Sequence, residues 1–103
     1  MTDRIGSLIS LSRKAGKVQS GEFSVENDVR SGKAALVIIS REASPNTKKK
    51  FRNMCSFYEV PEITYATKEE LGRWIGCEYR AVLSISDEGF AERILDLHKA
   101  ASV

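Results

Sequence analysis

The sequence predicts an α/β protein that folds as a three-layer α/β/α sandwich with a mixed sheet of about four strands. Two observations indicate this fold. Stretches of strand length alternate along the chain with stretches of helical periodicity, which is the α/β pattern. One stretch, residues 34–39, is apolar throughout, as is typical of a strand covered by helices on both faces. The length of 103 residues fits one domain, so we expect residues 1–103 to form a single domain.

The first helix is predicted over residues 3–15, because Ile5, Leu8 and Ile9 recur on one helical face. Gly16 follows, and glycine is a typical residue for ending a helix. Residues 17–20 are predicted to be extended and to form a short strand before the next helix.

A second helix is predicted over about residues 22–30, after a glycine whose conformational freedom suits the junction. Val25 and Val29 carry the apolar stripe of this helix, and Phe23 or the stem of Glu22 is expected to flank that stripe. The buried strand of residues 34–39 comes next along the chain.

The third helix is predicted to start at Ser44 and Pro45, since serine is a good N-cap and proline is favoured at the first helical position. A shorter strand is predicted after this helix, over residues 62–65. The predicted core face of the third helix consists of Phe51, Met54, Cys55 and Tyr58.

The last part of the chain is predicted to hold two helices and a strand. Thr67 and Glu70 have the spacing of a capping box, so a short helix should start there and run to about Trp74. A strand over residues 80–85 precedes a final helix, which residues 86–88 cap. The apolar stripe of that final helix consists of Phe90, Ile94 and Leu97.

The charge of the chain is small overall but unevenly distributed. Residues 1–52 contain 11 lysines and arginines against 5 acidic residues, whereas residues 53–103 contain 5 against 9. A basic half favours an anionic partner, of which nucleic acid is the commonest.

No apolar run approaches the roughly 20 residues that cross a bilayer. The N-terminus lacks the apolar block of a signal peptide, so we expect a cytoplasmic protein with no membrane partner.

Residue types that carry catalysis or bind metals are sparse. Cys55 and Cys77 form no CxxC motif and have no neighbouring histidine, so we expect reduced thiols and no metal site. His98 is the only histidine and is expected at the surface of the last helix. The sequence contains no Walker-type phosphate-binding loop and no GxGxxG motif. We therefore expect no enzymatic activity and no cofactor.

Three segments are candidates for contact with RNA. Residues 19–21 precede a helix start, where free backbone N–H groups and the helix dipole attract anions. Residues 46–52 hold four cations, which either bind phosphates or form a solvated helix face. Residues 76–80 form a turn whose aromatic ring and guanidinium either stack on unpaired bases or pack within the protein.

Ordered motifs run through most of the chain, and the first of them reads LSRKAGK. They occupy residues 11–17, 20–21, 30–39, 46–51, 67–72, 75–76 and 86–91. In this order and spacing they resemble the bacterial YlxQ-type proteins and, more widely, the L7Ae and L30e superfamily of ribosomal proteins that bind kink-turn RNA. The resemblance covers residues 4–97.

This resemblance implies a three-layer α/β/α fold and binding of a structured RNA. A kink-turn is a sharply bent helix–bulge–helix with tandem sheared G·A pairs. In members that bind it, the helix starting near Gly21 enters the widened groove at the kink, and the turn of residues 75–80 covers bases flipped out of the bulge. The RNA-facing positions that the resemblance implies are Ser20, Gly21, Glu22, Lys33, Arg41, Glu42, Gly76, Cys77, Glu78 and Tyr79.

The chain departs from the family pattern on its second helix. Strong kink-turn binders carry Asn-Glu two and three residues after the glycine, and a lysine three residues further on. Here these three positions hold Phe23, Ser24 and Asn27. Phe23 offers a stacking surface where those binders offer hydrogen bonds to guanine edges.

We therefore hypothesise a monomeric, non-catalytic protein that binds structured RNA, with ribosomal RNA as the expected class and the ribosome as the expected assembly. The alternative hypothesis is an interaction module for a translation or transcription factor, with weak or no RNA binding and with Phe23 as the anchor of the interface. Phosphate contacts are expected from Lys14, Lys17, Lys33, Lys48, Lys49 and Lys50, and Phe23, Asn27 and Arg80 complete the candidate site.

Overall fold

The sheet of this protein is built on two central strands that are buried along their whole length. The structure, a computed structural model, describes residues 3–101. Within them the strands are β1 (Val18–Ser20), β2 (Leu36–Ile39), β3 (Glu62–Thr64) and β4 (Val82–Ile85). Their spatial order is β1-β4-β2-β3, and β2 and β4 are the buried central pair. β2 pairs parallel with β3, whereas β4 pairs antiparallel with both β1 and β2, which confirms the predicted mixed sheet.

Helices cover both faces of this sheet. In the described part of the chain they are α1 (Arg4–Lys14), α2 (Glu22–Arg30), α3 (Pro45–Tyr58), α4 (Lys68–Trp74) and α5 (Glu88–Ala101). Buried side chains of α1, α4 and α5 form one core with the sheet, and those of α2 and α3 form a second core on the other side. This arrangement confirms the predicted three-layer α/β/α sandwich.

The side chains of β2 divide between these two cores, because successive residues of a strand point to opposite faces of the sheet. Leu36 and Ile38 are fully buried beneath α1, α4 and α5. Val37 and Ile39 are fully buried beneath α2 and α3, where Phe51 is the largest of the buried side chains. The apolar run predicted as a strand covered on both faces therefore has that environment.

Two side chains predicted to lie on or beside the core are instead exposed. Tyr58 is the last residue of α3, and its side chain is 41% exposed. Phe23 is 79% exposed, because two positions along a helix differ by about 200° and Phe23 therefore points away from the side on which Val25 is buried. Helical periodicity shows which face of a helix is apolar, but it does not show how far along the helix that face is covered by the core.

A cluster of aromatic rings joins α1 to the two helices beside it. The hydroxyl of Tyr65 donates a hydrogen bond to Asp3 Oδ2 at 2.7 Å, and its ring stacks on Trp74 with centroids 6.3 Å apart. Burial and this hydrogen bond raise the pKa of Tyr65 to about 12, so the hydroxyl remains a donor at neutral pH. His98, expected at the surface, is partly buried and meets Tyr65 edge-on at 6.0 Å.

One carboxylate is buried between α2 and the sheet. Asp28 is 8% exposed, and its Oδ2 accepts a hydrogen bond from the hydroxyl of Ser84 in β4 at 2.8 Å. The backbone carbonyl of Asp28 accepts hydrogen bonds from the N–H groups of Lys33 and Ala34, at 3.0 and 3.1 Å. These bonds attach the C-terminal half of α2 to the centre of the sheet and hold the chain between α2 and β2.

Replacing Ser84 with alanine removes the hydroxyl that satisfies the buried Asp28 carboxylate. We expect Ser84→Ala to lower the free energy of unfolding by about 1–3 kcal/mol, the usual effect of leaving a buried polar group without its partner. Urea denaturation followed by circular dichroism measures this change. Ser7→Ala, at an exposed position of α1, is the control and should change stability by no more than about 0.5 kcal/mol. Equal stability of the two variants would contradict the structural role of the bond.

Candidate nucleic-acid interface

Four chain segments meet at one end of the sandwich, which we call the loop end. They are residues 20–24, 40–44, 65–68 and 75–81. The N–H of Arg41 donates to the carbonyl of Ala66 at 2.9 Å, and the N–H of Ser40 donates to the carbonyl of Ala81 at 2.8 Å. Residues from the first and second halves of the chain thus share one surface, as the resemblance implied for Arg41 and the 75–80 turn.

Arg80 braces the loop end. Its Nε donates a hydrogen bond to the Ser20 hydroxyl at 3.1 Å, and its Nη1 donates to the Tyr79 carbonyl at 2.7 Å. Its backbone N–H donates to the carbonyl of Lys68 at 3.0 Å. The guanidinium therefore holds the turn before β4 against the end of β1, and it places a fixed positive charge beside the start of α2.

The start of α2 differs from the other helix starts in lacking a capping side chain. Gly21 is the N-cap residue, with φ 87° and ψ 155°, a conformation that is essentially restricted to glycine. Its own N–H donates to the Val82 carbonyl at 3.1 Å, so this amide is not free as the sequence suggested. Among residues 3–101, no side chain caps α2. The first-turn N–H groups of Glu22, Phe23 and Ser24 therefore remain available, at the positive end of the helix dipole.

The acidic side chains of α2 are all engaged by neighbouring groups. Asp28 is bound to Ser84 inside the protein. Glu26 lies 2.7 Å from Arg30 and 3.1 Å from Lys50, measured between carboxylate oxygens and cationic nitrogens. Glu22 accepts a hydrogen bond from the Thr47 hydroxyl at 3.4 Å and lies 4.0 Å from Lys50 Nζ. Their charges are partly neutralised and directed toward α3 or the core, which lowers their repulsion of a phosphate near Gly21.

Two aromatic rings stand at the loop end without being buried. Phe23 is 79% exposed at the start of α2, and Tyr79 is 61% exposed on the turn before β4. The sequence left open whether Tyr79 packs inside its turn, and the structure places its ring largely in solvent. Exposed ring faces beside an uncapped helix start can stack on bases that are not paired.

Close packing against α4 shapes the turn that carries Tyr79. The N–H of Cys77 donates to the carbonyl of Gly72 at 2.8 Å. Gly72 lies so close to the turn that a Cβ atom there would press against the backbone carbonyl of Glu78. Cys77 is partly buried and packs against the core, whereas Gly76 and Glu78 are exposed. Only glycine fits at position 72. The absence of a side chain there lets the turn pack directly on α4.

Some predicted residues of the loop end already have structural partners. Glu42 Oε1 accepts a hydrogen bond from the N–H of Lys68 at 2.9 Å, which makes it an additional cap on α4. Arg41 lies 4.0 Å from the Glu70 carboxylate. Lys50 is paired with the acidic residues of α2. Within the described residues, no carboxylate lies within ion-pair distance of Lys48 or Lys49.

The structure separates three predicted lysines from this surface. The carbonyl of Lys17 accepts a hydrogen bond from the N–H of Ser86, just after β4, and Lys33 lines a shallow hollow with Ser86. Lys14 is the last residue of α1, three residues before Lys17. The loop end lies at the start of β4, so Lys14, Lys17 and Lys33 lie at the opposite end of the sheet. Asn27 is exposed on α2, between the two ends.

Sequence reasoning missed the residues that organise the loop end. Thr47 is buried and holds Glu22, and Lys68 joins Glu42 to Arg80 through its backbone. A capping serine three residues before Thr47 was the only local signal.

Across residues 3–101, no group of three or more histidine, cysteine or acidic side chains could hold a metal ion. The helices described there are also all too short or too polar to cross a membrane.

A sequence profile of the Ribosomal protein L7Ae/L30e/S12e/Gadd45 family matches residues 3–95. The chain belongs to this family. The L7Ae/L30e assignment confirms the resemblance that the sequence motifs indicated, and with it the expectation of a non-catalytic protein.

Individual members of the L7Ae/L30e family agree with this assignment over most of their length. The chain is 40% identical over 90 residues to the RNA-binding protein YlxQ of Bacillus subtilis (strain 168), covering 87% of this chain and 90% of that protein. It is also 40% identical over 90 residues to the RNA-binding protein YlxQ of Enterococcus faecium, covering 87% and 86%. A solved structure of a protein with unknown function from Bacillus halodurans C superposes with a TM-score of 0.90 and 33% identity, covering 93% of this chain and 97% of that chain.

Adding one methyl group at position 72 should displace the turn of residues 76–80. We expect Gly72→Ala to lower the free energy of unfolding by about 1–3 kcal/mol, the usual effect of overpacking, because α4 and the turn must move apart. Backbone amide chemical shifts of the turn and of Ser20 should change together, since Arg80 connects them. Glu92→Ala, at an exposed position of α5, is the control. Unchanged shifts at the turn would contradict the close packing.

Proposed function

We propose that this protein binds structured RNA through the loop end. The observation that carries the proposal is the uncapped start of α2, flanked by the Arg80 guanidinium and by two exposed aromatic rings. Free N–H groups at a positive helix end bind phosphate oxygens, and a fixed guanidinium adds a charge-assisted contact. The names of the two YlxQ relatives, both called RNA-binding proteins, support the same class of partner.

The two parts of the loop end would divide the work of recognition. Phosphate contacts at Gly21 and Arg80 fix the position of the RNA, whereas contacts with bases supply selectivity. Phe23 and Tyr79 present ring faces, so the bases that they contact are unpaired ones in a bulge, loop or kink. Lys48, which is partly buried, and the exposed Lys49 add a salt-dependent attraction next to this surface.

We infer that the RNA is ribosomal and contains a kink-turn or a related bend, and that the protein acts in the cytoplasm as a ribosome-associated factor without catalysis. The family to which the chain belongs is named for ribosomal proteins, which supports this class of RNA. The positions on α2 that differ from strong kink-turn binders are held by Phe23, Ser24 and Asn27, so we expect stacking to replace part of the hydrogen bonding.

A second candidate function is docking to a protein of the translation or transcription machinery. The 79% exposure of Phe23 favours it, because exposed aromatic side chains are frequent anchors of protein interfaces. The paired state of Glu22 and Glu26 weakens it, because these carboxylates are less available to a basic partner. A pull-down that survives nuclease treatment and is lost in Phe23→Ala would favour this function over RNA binding.

Binding of a kink-turn RNA should depend on its tandem G·A pairs. We would titrate the protein into a fluorescent kink-turn RNA, and into the same RNA with Watson–Crick pairs at those positions, at about 100 mM salt. The expected result is tighter binding of the kinked RNA, measured as fluorescence anisotropy. Equal, weak binding of both RNAs would contradict selective recognition by the loop end.

Matched variants assign the contact to one end of the protein. Arg80→Gln should lower affinity by about tenfold or more, because it removes a charge-assisted contact and the brace to Ser20. Arg93→Gln removes one exposed charge from α5 and should leave affinity within about twofold. Lys17→Gln with Lys33→Gln tests the opposite end, where a comparable loss would mean that the RNA contacts both ends.

Bound RNA should protect Cys77 from alkylation. Cys77 belongs to the turn of the loop end, whereas Cys55 is 1% exposed in the second core. Burial, with a smaller effect from Glu62, raises the pKa of Cys55 to about 11, so Cys55 stays a thiol at pH 8 and is the internal control. Mass spectrometry after N-ethylmaleimide treatment should find that Cys77 is modified before Cys55. Bound RNA should slow the modification of Cys77. RNA that binds without slowing this reaction would not be covering the turn.

A further inference from the structure

The outer side of α3 carries a surface that the loop end does not include. Its exposed positions follow one another at the spacing i, i+3, i+4, i+7 and i+8, so they form one stripe along the helix. The sequence of α3 contains four cations and no acidic residue. We call this surface the α3 stripe, and it consists of Lys49, Arg52, Asn53, Ser56 and Phe57.

The two cations of the α3 stripe are available to an anion. Within residues 3–101, no carboxylate lies within ion-pair distance of Lys49 or Arg52. Arg52 Nη2 donates one hydrogen bond, to the Thr64 hydroxyl at 3.2 Å, which orients the guanidinium and leaves its other donors for a ligand. Lys50 differs from both, because it is drawn to the carboxylates of α2.

Phe57 ends the stripe with a ring that contributes almost nothing to the core. Its side chain is 80% exposed, and the ring of Tyr58 meets it edge-on with centroids 4.9 Å apart. The acidic residue Glu59 follows at the C-terminal, negative end of the α3 dipole. A phosphate is disfavoured at this point, so the chemistry suits an uncharged, flat group such as a nucleobase.

The α3 stripe continues from the loop end. α3 starts beside α2, where the Thr47 hydroxyl donates to Glu22, and Lys49 follows two residues later. From Lys49 to Phe57 the helix rises by about 12 Å, which corresponds to about three or four stacked nucleotides. A strand leaving the loop end along α3 would therefore meet positive charge first and an aromatic ring last.

We propose that the α3 stripe binds single-stranded RNA that extends from the structured RNA held at the loop end. Lys49 and Arg52 contact successive phosphates of the extension, and Phe57 stacks on one of its unpaired bases. This inference rests on the proposed function of the loop end. It defines the preferred substrate as a structured RNA with an unpaired flank.

The test compares a structured RNA with the same RNA carrying six unpaired uridines at its 5′ or its 3′ end. Fluorescence anisotropy should show at least fivefold tighter binding for one of the two extended RNAs, since a stacked base alone contributes about that much. Phe57→Leu keeps an apolar side chain but cannot stack, and should lose this gain. Phe57→Trp should keep it. A gain that persists in Phe57→Leu would exclude stacking at this position.

The salt dependence separates the two kinds of contact. Lys49→Gln with Arg52→Gln should reduce the slope of log K against log salt by about 0.7 for each lost phosphate contact. Phe57→Leu should lower affinity without changing this slope. The controls are Arg93→Gln with Lys99→Gln for charge and Leu11→Ala for an exposed apolar residue, all on helices of the other layer.

The outcomes distinguish this inference from the proposed function. If the structured RNA binds and neither extension adds affinity, the α3 stripe is not an RNA site, while the loop end remains one. If the structured RNA fails to bind, the proposed function of the loop end is wrong. Binding of a free ten-uridine strand then tests whether the α3 stripe binds single-stranded RNA. Binding of that strand that depends on Phe57 supports it, and absent or Phe57-independent binding overturns it. Selective binding of an acidic, aromatic peptide through Phe57, without RNA, would make the stripe a protein-docking surface instead.

Discussion

The burial of β2 and β4 on both faces is the constraint on which the rest of the structure depends. Each of these strands has four residues, and all of them are buried. Strands that are buried on both faces require helices above and below the sheet. The chain therefore passes from strand to helix and back at the two ends of the sheet. Polar and charged groups that can meet a ligand are therefore concentrated at the two ends and on the outer sides of the helices.

Backbone hydrogen bonds close the loop end, and side-chain bonds such as that from Arg80 to Ser20 brace it. Ser40 and Gly21 both place an N–H on a carbonyl near the start of β4, at 2.8 and 3.1 Å. Because buried backbone groups must be paired, these bonds fix three of the four segments of the loop end relative to one another before any ligand arrives. The resulting surface is preorganised, which reduces the entropy lost when a partner binds. The paired carboxylates of α2 belong to the same preorganisation, since they keep the negative charge of Glu22 and Glu26 turned toward α3.

Local rules account for what could be predicted from the sequence. The capping box of Thr67 and Glu70 and the N-cap of Ser44 were visible because their partners lie three residues away, and both are present. The bond from Arg80 to Ser20 joins residues 60 positions apart, and no local pattern indicates such a contact. Tyr58 was misplaced for a related reason, because the periodicity of α3 continues to the last residue of the helix although the core does not.

The same limit explains why the candidate site could be predicted only in part. The motifs and the resemblance identified the α2 start and the 75–80 turn as parts of one surface, whereas the topology of the sheet determines which other residues lie beside them. Lys17 and Lys33 appeared equivalent to Lys48 and Lys49 because charge can be read from a sequence, whereas the end of the sheet at which a charge lies cannot. The end of the sheet at which each lysine lies depends on how the strands pair, and strand pairing joins residues that are distant in the sequence.

The position of β1 couples the site to one of the two edges of the sheet. β1 has three residues and pairs only with β4, so opening of this strand requires the loss of few contacts. Such an opening would remove Ser20 and Gly21 from the loop end together. A ligand that binds only the closed form suppresses the open form in proportion to its occupancy. Hydrogen exchange of the β1 amides would therefore report occupancy of the loop end, including at Val18 and Gln19, which lie outside it.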